Sequence, residues 1–183
     1  TATEHEQYIG KPVKRREDNA LLRGQGTYVD NMAPPGTLSL VLVRSPYAHA
    51  KVRSIDASAA LALDGVVAVL TAADLQSEWA APQPCGWPVT EDMKNPPHFP
   101  LTDTARYQGD GVAVVVAESR AIAKDAAELV EVDWEPLPVS VGVLEALEPG
   151  APLVHSDLES NECYTWVLET AETDDAIDGA DVR

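Results

Sequence analysis

The stretch GTLSLVLVRS, residues 36 to 45, sets Leu38, Leu40 and Leu42 on one side of the chain and Val41 and Val43 on the other. A run that is apolar on both sides predicts a strand covered on both faces, entered here from a Pro34-Pro35-Gly36 turn. Residues 50 to 58, AKVRSIDAS, predict a second strand with Val52 and Ile55 as its apolar points. Asp56 or Ser58 is placed to cap the short helix AALAL that follows. Gly65 closes that helix, Val66 to Leu70 make a third strand, and Thr71 to Leu75 form one helical turn. Residues 111 to 117, GVAVVVA, have the pattern of an interior strand. Ser119 then caps a helix over RAIAKDAAELV, with Ile122, Ala126, Leu129 and Val130 as its apolar face. The segment VEVDWEPLP resumes as a strand, ended by Pro136 and Pro138.

A strand–helix–strand unit therefore occurs twice, over residues 38 to 70 and 111 to 134, each with an alanine-rich helix and a valine-rich strand. The fold class predicted is α+β, a mixed sheet made from two similar halves in a single domain spanning residues 1 to 183. Between the units lie residues 76 to 100, with six prolines and no period. Proline removes backbone donors, so this proline-rich loop is expected to be irregular, with Trp79, Trp87 and Phe99 partly packed down. Residues 155 to 183 form a weakly patterned acidic tail in which DDAIDGADVR makes a short helix. The tail stops where a strand would start, as a piece of a longer chain would.

The glycines of RYQGDGVAVVVAES raise the question of a phosphate cradle. A dinucleotide fingerprint needs its glycines after a strand and at the start of a helix. Here Gly109 and Gly111 precede the strand, and the following junction, VAESRAIAK, contains none. Gly24 and Gly26 also precede an extended segment, so both pairs read as turns of positive φ. Ser58, Ser77 and Ser156 lie in no G-x-S-x-G elbow, and acidic neighbours such as Asp174-Asp175 read as solvated. Cys85 and Cys163 are too few for an iron–sulfur cluster or a disulfide framework. His5, His49, His98 and His155 show no metal-ligand spacing. The residues thus nominate no catalytic, cofactor-binding or metal site.

The formal charge is −17. Residues 1 to 53 hold eight bases and five acids, so the remaining 130 residues carry −20. That balance argues against nucleic acid, whose phosphates require Lys and Arg. The cluster Lys11, Lys14, Arg15, Arg16 and Arg23 reads as solvated charge. With no apolar run long enough to span a bilayer, the chain is expected to be soluble and cytoplasmic.

Four segments, IGKPVKRREDNALLRGQGTYVDN, LVRSPYAHAKVRSIDASAAL, GVVAVLTAADL and RYQGDGVAVVVAESRAIAKDAAELVEVDWEPLP, resemble in order the start of molybdenum hydroxylase large subunits. This is the family of xanthine dehydrogenase, aldehyde oxidase and aerobic carbon monoxide dehydrogenase. The resemblance implies an α/β-hammerhead domain with a structural and assembly role. It also implies a molybdopterin-binding portion following in the same subunit, with iron–sulfur clusters and FAD on partner subunits or domains. The implied reaction hydroxylates an aldehyde or N-heterocycle, or oxidises carbon monoxide. No catalytic residue carries over, because the family's pterin-contacting loops and general-base glutamate match nothing here, and the domain alone is expected to be inactive. The chain departs from the family at Asp30-Asn31, Gly111 and Trp134, which bears on the substrate. Other readings of the same residues are a stand-alone protein-binding module using the proline-rich loop, and an independent hydrolase.

Overall fold

A computed structural model describes residues 9–83, 86–168, 170 and 172–180. The chain divides into two compact units, Thr1–Thr37 and Leu38–Arg183. His5 and Cys85 lie outside the described residues.

The first unit contains helix α1, Asp18–Leu22, and a 3-10 turn, Val29–Asn31. Asp18 accepts the Arg15 backbone N–H at 3.0 Å, and Gly24, at φ 68°, lets Gln25 donate back to the Ala20 carbonyl at 2.8 Å. Gly26 takes no positive φ, so only the first glycine of that pair is a left-handed turn. The basic side chains of the cluster are exposed, as solvated charges should be.

The second unit carries six strands: β1 Ser39–Arg44, β2 Ala50–Asp56, β3 Val66–Thr71, β4 Thr104–Ala105, β5 Gly111–Ala117 and β6 Glu131–Pro136. Helices α2 (Ser58–Leu61), α3 (Ala72–Leu75), α4 (Arg120–Glu128) and α5 (Thr173–Asp178), with a 3-10 turn at Glu145–Leu147, complete the regular elements among the described residues. The α+β class and both strand–helix–strand units are present. The strands do not share one mixed sheet. They form two antiparallel sheets, β1-β5-β3 and β4-β2-β6. Each unit leaves the central strand of one sheet and ends on an edge strand of the other: β2 through α2 to β3, and β5 through α4 to β6. A parallel return within one sheet takes a dozen or more connecting residues. The four-residue α2 is too short for that, so the chain crosses between sheets instead.

Both sheets and both helices meet in one core. Ala60, Val115, Ala126 and Val130 are buried together, with Val43, Val66 and Val69 from the first sheet and Ile55 and Val132 from the second packed around them. Alanine on the helices lets the backbones approach closely. Gly65, at φ 87°, serves the same end, since a Cβ there would meet Ile122 Cδ1 at 2.8 Å. Strand β5 is buried on both faces, as its sequence predicts. Burying one valine contributes roughly 1.5–3 kcal/mol, so Val112, Val114 and Val115 are major terms.

Three expectations are corrected in detail. β1 is an edge strand, and Leu40 is 61% exposed instead of covered. On α4 the buried positions are Ala123 and Ala126, and past its end Val130 is buried while Leu129 is 41% exposed. Gly111 takes no positive φ. It is small because a Cβ would sit 2.7 Å from the Pro100 carbonyl, whereas Gly109 does take a φ of 101°.

Candidate functional site

Strand β5 runs into α4 through Glu118 and Ser119, and the Ser119 hydroxyl accepts the Ile122 N–H at 3.3 Å. The helix N-terminus is thus capped by its own side chain. At the other end of β5, Gly109 accepts Arg44 Nη1 at 2.7 Å and donates its N–H to the Ser45 carbonyl at 2.8 Å. Asp110 is fully buried there and accepts the Arg106 backbone N–H at 3.1 Å. The backbone of Gly109 and Asp110 ties the end of β1 to the start of β5, and the Asp110 carboxylate holds the turn from Arg106. The stretch is scaffold.

The fold gathers three histidines that the sequence keeps apart. His155 is half-buried, and its pKa lies below the ordinary imidazole value. Burial is the largest cause, followed by the nearby Arg106 guanidinium; Asp157 opposes the shift, and His98 and His49 add to it. His49 donates from Nδ1 to the Pro138 carbonyl at 2.8 Å, which fastens the chain leaving β6. A cleft of about 380 Å³ opens beside these groups, lined by His49, Lys51, Arg106 and Ser156 among others. Ser156 has no base hydrogen-bonded to it among the described residues, so no nucleophile is assembled.

A larger groove, about 740 Å³, lies between residues 141–147 and the segment Asn161–Trp166. Asn161 builds it. Its Nδ2 donates to the Ala146 and Pro152 carbonyls at 3.0 and 2.9 Å, and its Oδ1 accepts the Val154 N–H at 2.9 Å. Cys163 ties the same segment to the proline-rich loop: Sγ donates to the Lys94 carbonyl at 2.7 Å, and Lys94 N–H donates to the Cys163 carbonyl at 3.0 Å. This thiol is structural. The sequence carries no signal for the role of Asn161, because an Asn in SNEC reads as any turn residue. Within the loop, Trp79 and Phe99 stack at 5.1 Å and pack down as expected, while Trp87 is 85% exposed.

The metal and cofactor chemistry of these residues is limited. Among the described residues no group of three or more His, Cys, Asp or Glu side chains could hold a metal ion. The β5–α4 junction has no glycine to admit a pyrophosphate, and its N–H donor is already used by Ser119. No chemical step is assigned to the described residues. No described helix is long and apolar enough to cross a membrane.

The chain is similar to the carbon monoxide dehydrogenase large chain of Afipia carboxidovorans, 40% identical over 183 aligned residues that cover 93% of this chain and 22% of that one. It is similar also to the xanthine dehydrogenase molybdenum-binding subunit of Escherichia coli O157:H7, at 32% identity over 165 residues, covering 90% and 22%. Among solved structures, quinoline 2-oxidoreductase from Pseudomonas putida 86 superposes with a TM-score of 0.76 at 39% identity, covering 85% of this chain and 20% of that one. The chain thus spans about a fifth of the length of the curated relatives it matches. Residues 23–138 match the model of the aldehyde oxidase and xanthine dehydrogenase a/b hammerhead domain. The chain belongs to this family, through its hammerhead domain.

Proposed function

We propose that this chain is the structural and assembly domain of a molybdopterin-dependent oxidoreductase large subunit, a single domain that is inactive by itself. In this reading the remaining portion of the subunit holds the molybdenum cofactor. Iron–sulfur and FAD subunits carry electrons away, and the reaction is hydroxylation of an aldehyde or N-heterocycle, or oxidation of carbon monoxide. A cytoplasmic location goes with that assignment.

One observation carries the reading: the chain's apolar side chains are distributed by size in the wrong sense for a self-contained domain. Among the described residues, the buried apolar set consists of alanines and valines except for Leu101. The larger groups Leu144, Leu147, Tyr164, Trp166 and Leu168 are exposed. A monomer seldom leaves so many neighbouring large apolar groups in water, whereas a domain that packs on the rest of a subunit presents them to it. Covering one such side chain is worth roughly 1.5–3 kcal/mol, so a handful of them would hold an interdomain contact.

The test is to purify this chain alone and, separately, the full-length subunit with its partner subunits. The chain alone should bind no molybdenum, iron or flavin and oxidise neither carbon monoxide, aldehydes nor N-heterocycles, while the full assembly should do both. Stoichiometric molybdenum or a flavin absorption band on the isolated chain would overturn the proposal.

A further inference from the structure

The segment Cys163–Leu168, CYTWVL, has the composition of a strand and the structure of none. Tyr, Thr, Trp and Val are the residues most favoured in strands, and the six positions carry no charge and no proline. Yet the segment belongs to no helix and no sheet, and every side chain from Glu162 to Leu168 is exposed. Trp166 is 59% and Leu168 83% exposed.

The backbone is equally unsatisfied. Among the described residues, no backbone N–H or C=O from Tyr164 to Leu168 makes a backbone hydrogen bond. The segment is nevertheless held at both ends. Cys163 is fixed to Lys94 by two hydrogen bonds, and Asn161 clamps the chain just before it. Beyond it, the Thr170 N–H donates to Thr173 Oγ1 at 2.9 Å at the start of α5. An uncharged six-residue stretch of strand formers, exposed with its ladder groups unpaired, is also what self-assembles when nothing covers it. Side chains Tyr164, Trp166 and Leu168 fall at alternate positions and would share one face of a strand.

We propose that Cys163–Leu168 is a β-strand whose partner is an open sheet edge in the portion of the large subunit outside this chain. The pairing adds the segment to that sheet, and Tyr164, Trp166 and Leu168 pack on its apolar face. This rests on the assembly reading above. What names the occupant is the coverage: relatives of this chain are roughly five times its length, so most of the subunit's sheet edges lie outside it. A partner strand satisfies the backbone groups, which a groove of side chains alone would not.

Hydrogen exchange on the isolated chain and on the full-length subunit reads the proposal directly. In the isolated chain the amides of Tyr164 to Leu168 should exchange near the free-peptide rate. In the full-length subunit alternate amides should slow by a factor of about 1,000 or more, as ladder donors do. Thr165→Pro and Trp166→Pro, each set against the Ala substitution at the same site, separate backbone from side chain, and because the two positions are adjacent one of their N–H groups must enter the ladder. At a position whose N–H enters the ladder, Pro should lower the yield of assembled subunit about tenfold relative to Ala, leaving the melting temperature of the isolated chain unchanged. Amides still exposed in a correctly assembled subunit, or equal effects of Pro and Ala at both positions, overturn the strand and leave the assembly reading standing. Protection already present in the dilute isolated monomer overturns it as well. Protection that follows the isolated chain's concentration makes a second copy the occupant and overturns it in favour of a dimer. If the reading frame encodes no further portion, the assembly reading itself fails.

Discussion

The β5–α4 region and the region from Val139 to Leu168 are both rich in apolar residues, and they end in opposite states. In the first, most valines and alanines are buried, Ser119 caps the helix, and the ladder of β5 is satisfied on both sides by β1 and β3. In the second, larger apolar groups face water around a groove held by one asparagine, and the run Tyr164–Leu168 pairs its backbone with nothing described. Apolar content alone therefore does not mark a core. What distinguishes the two is whether side-chain size and backbone pairing are both settled within the chain.

The sharpest break of the contrast is Val114→Asp. It buries a carboxylate with no partner in the middle of β5, a cost of several kcal/mol, which is most of a typical domain's stability. Loss of cooperative unfolding by circular dichroism is the expected outcome, and an unchanged melting temperature would show that β5 is not the centre of the fold. Asn161→Ala should cost less, about 1–3 kcal/mol, because three hydrogen bonds are lost at a partly exposed site. Its effect should be local: faster exchange at Val154, with the β5 amides still protected.

A smaller effect comes from acid. Because the folded pKa of His155 is depressed, the fold favours the neutral ring, and its contribution is fully present above the ordinary value of 6.5. As pH falls from there through the lowered folded value, the unfolded chain takes up the proton first and stability declines. His155→Gln should flatten this part of the stability profile measured by urea titration at successive pH values. A slope unaffected by the substitution would assign the decline to carboxylates instead. The smallest effect on folding belongs to Trp166→Ser, expected to change the stability of the isolated chain by less than about 0.5 kcal/mol because the ring is exposed. The same change should weaken association with the remainder of the subunit. A large drop in melting temperature would instead place Trp166 in this chain's own core.

Much of this molecule is local and so was legible in one dimension. Ser119 sits one residue before its helix, Thr71 opens α3 by donating its N–H and its hydroxyl to the Asp74 carboxylate, and Pro136 lies at the end of β6, each within a few residues of what it controls. Period alone marked β5 as interior. The candidate sites were not legible in this way. His49, His98 and His155 converge near Arg106 only through the packing of separate segments, and Asn161 acts on carbonyls nine and fifteen residues away.

What the sequence by itself determined is the place of most strands and helices of the second unit, to within a few residues, because caps, prolines and apolar periods act over that range. Only the tertiary structure decided that β1, β3 and β5 form one sheet and β2, β4 and β6 another. A period of two says that a strand has two faces, and says nothing of which strand pairs with which. Pairing is chosen by long-range contacts, here by two alanine-rich helices thin enough to let both sheets close on the same core.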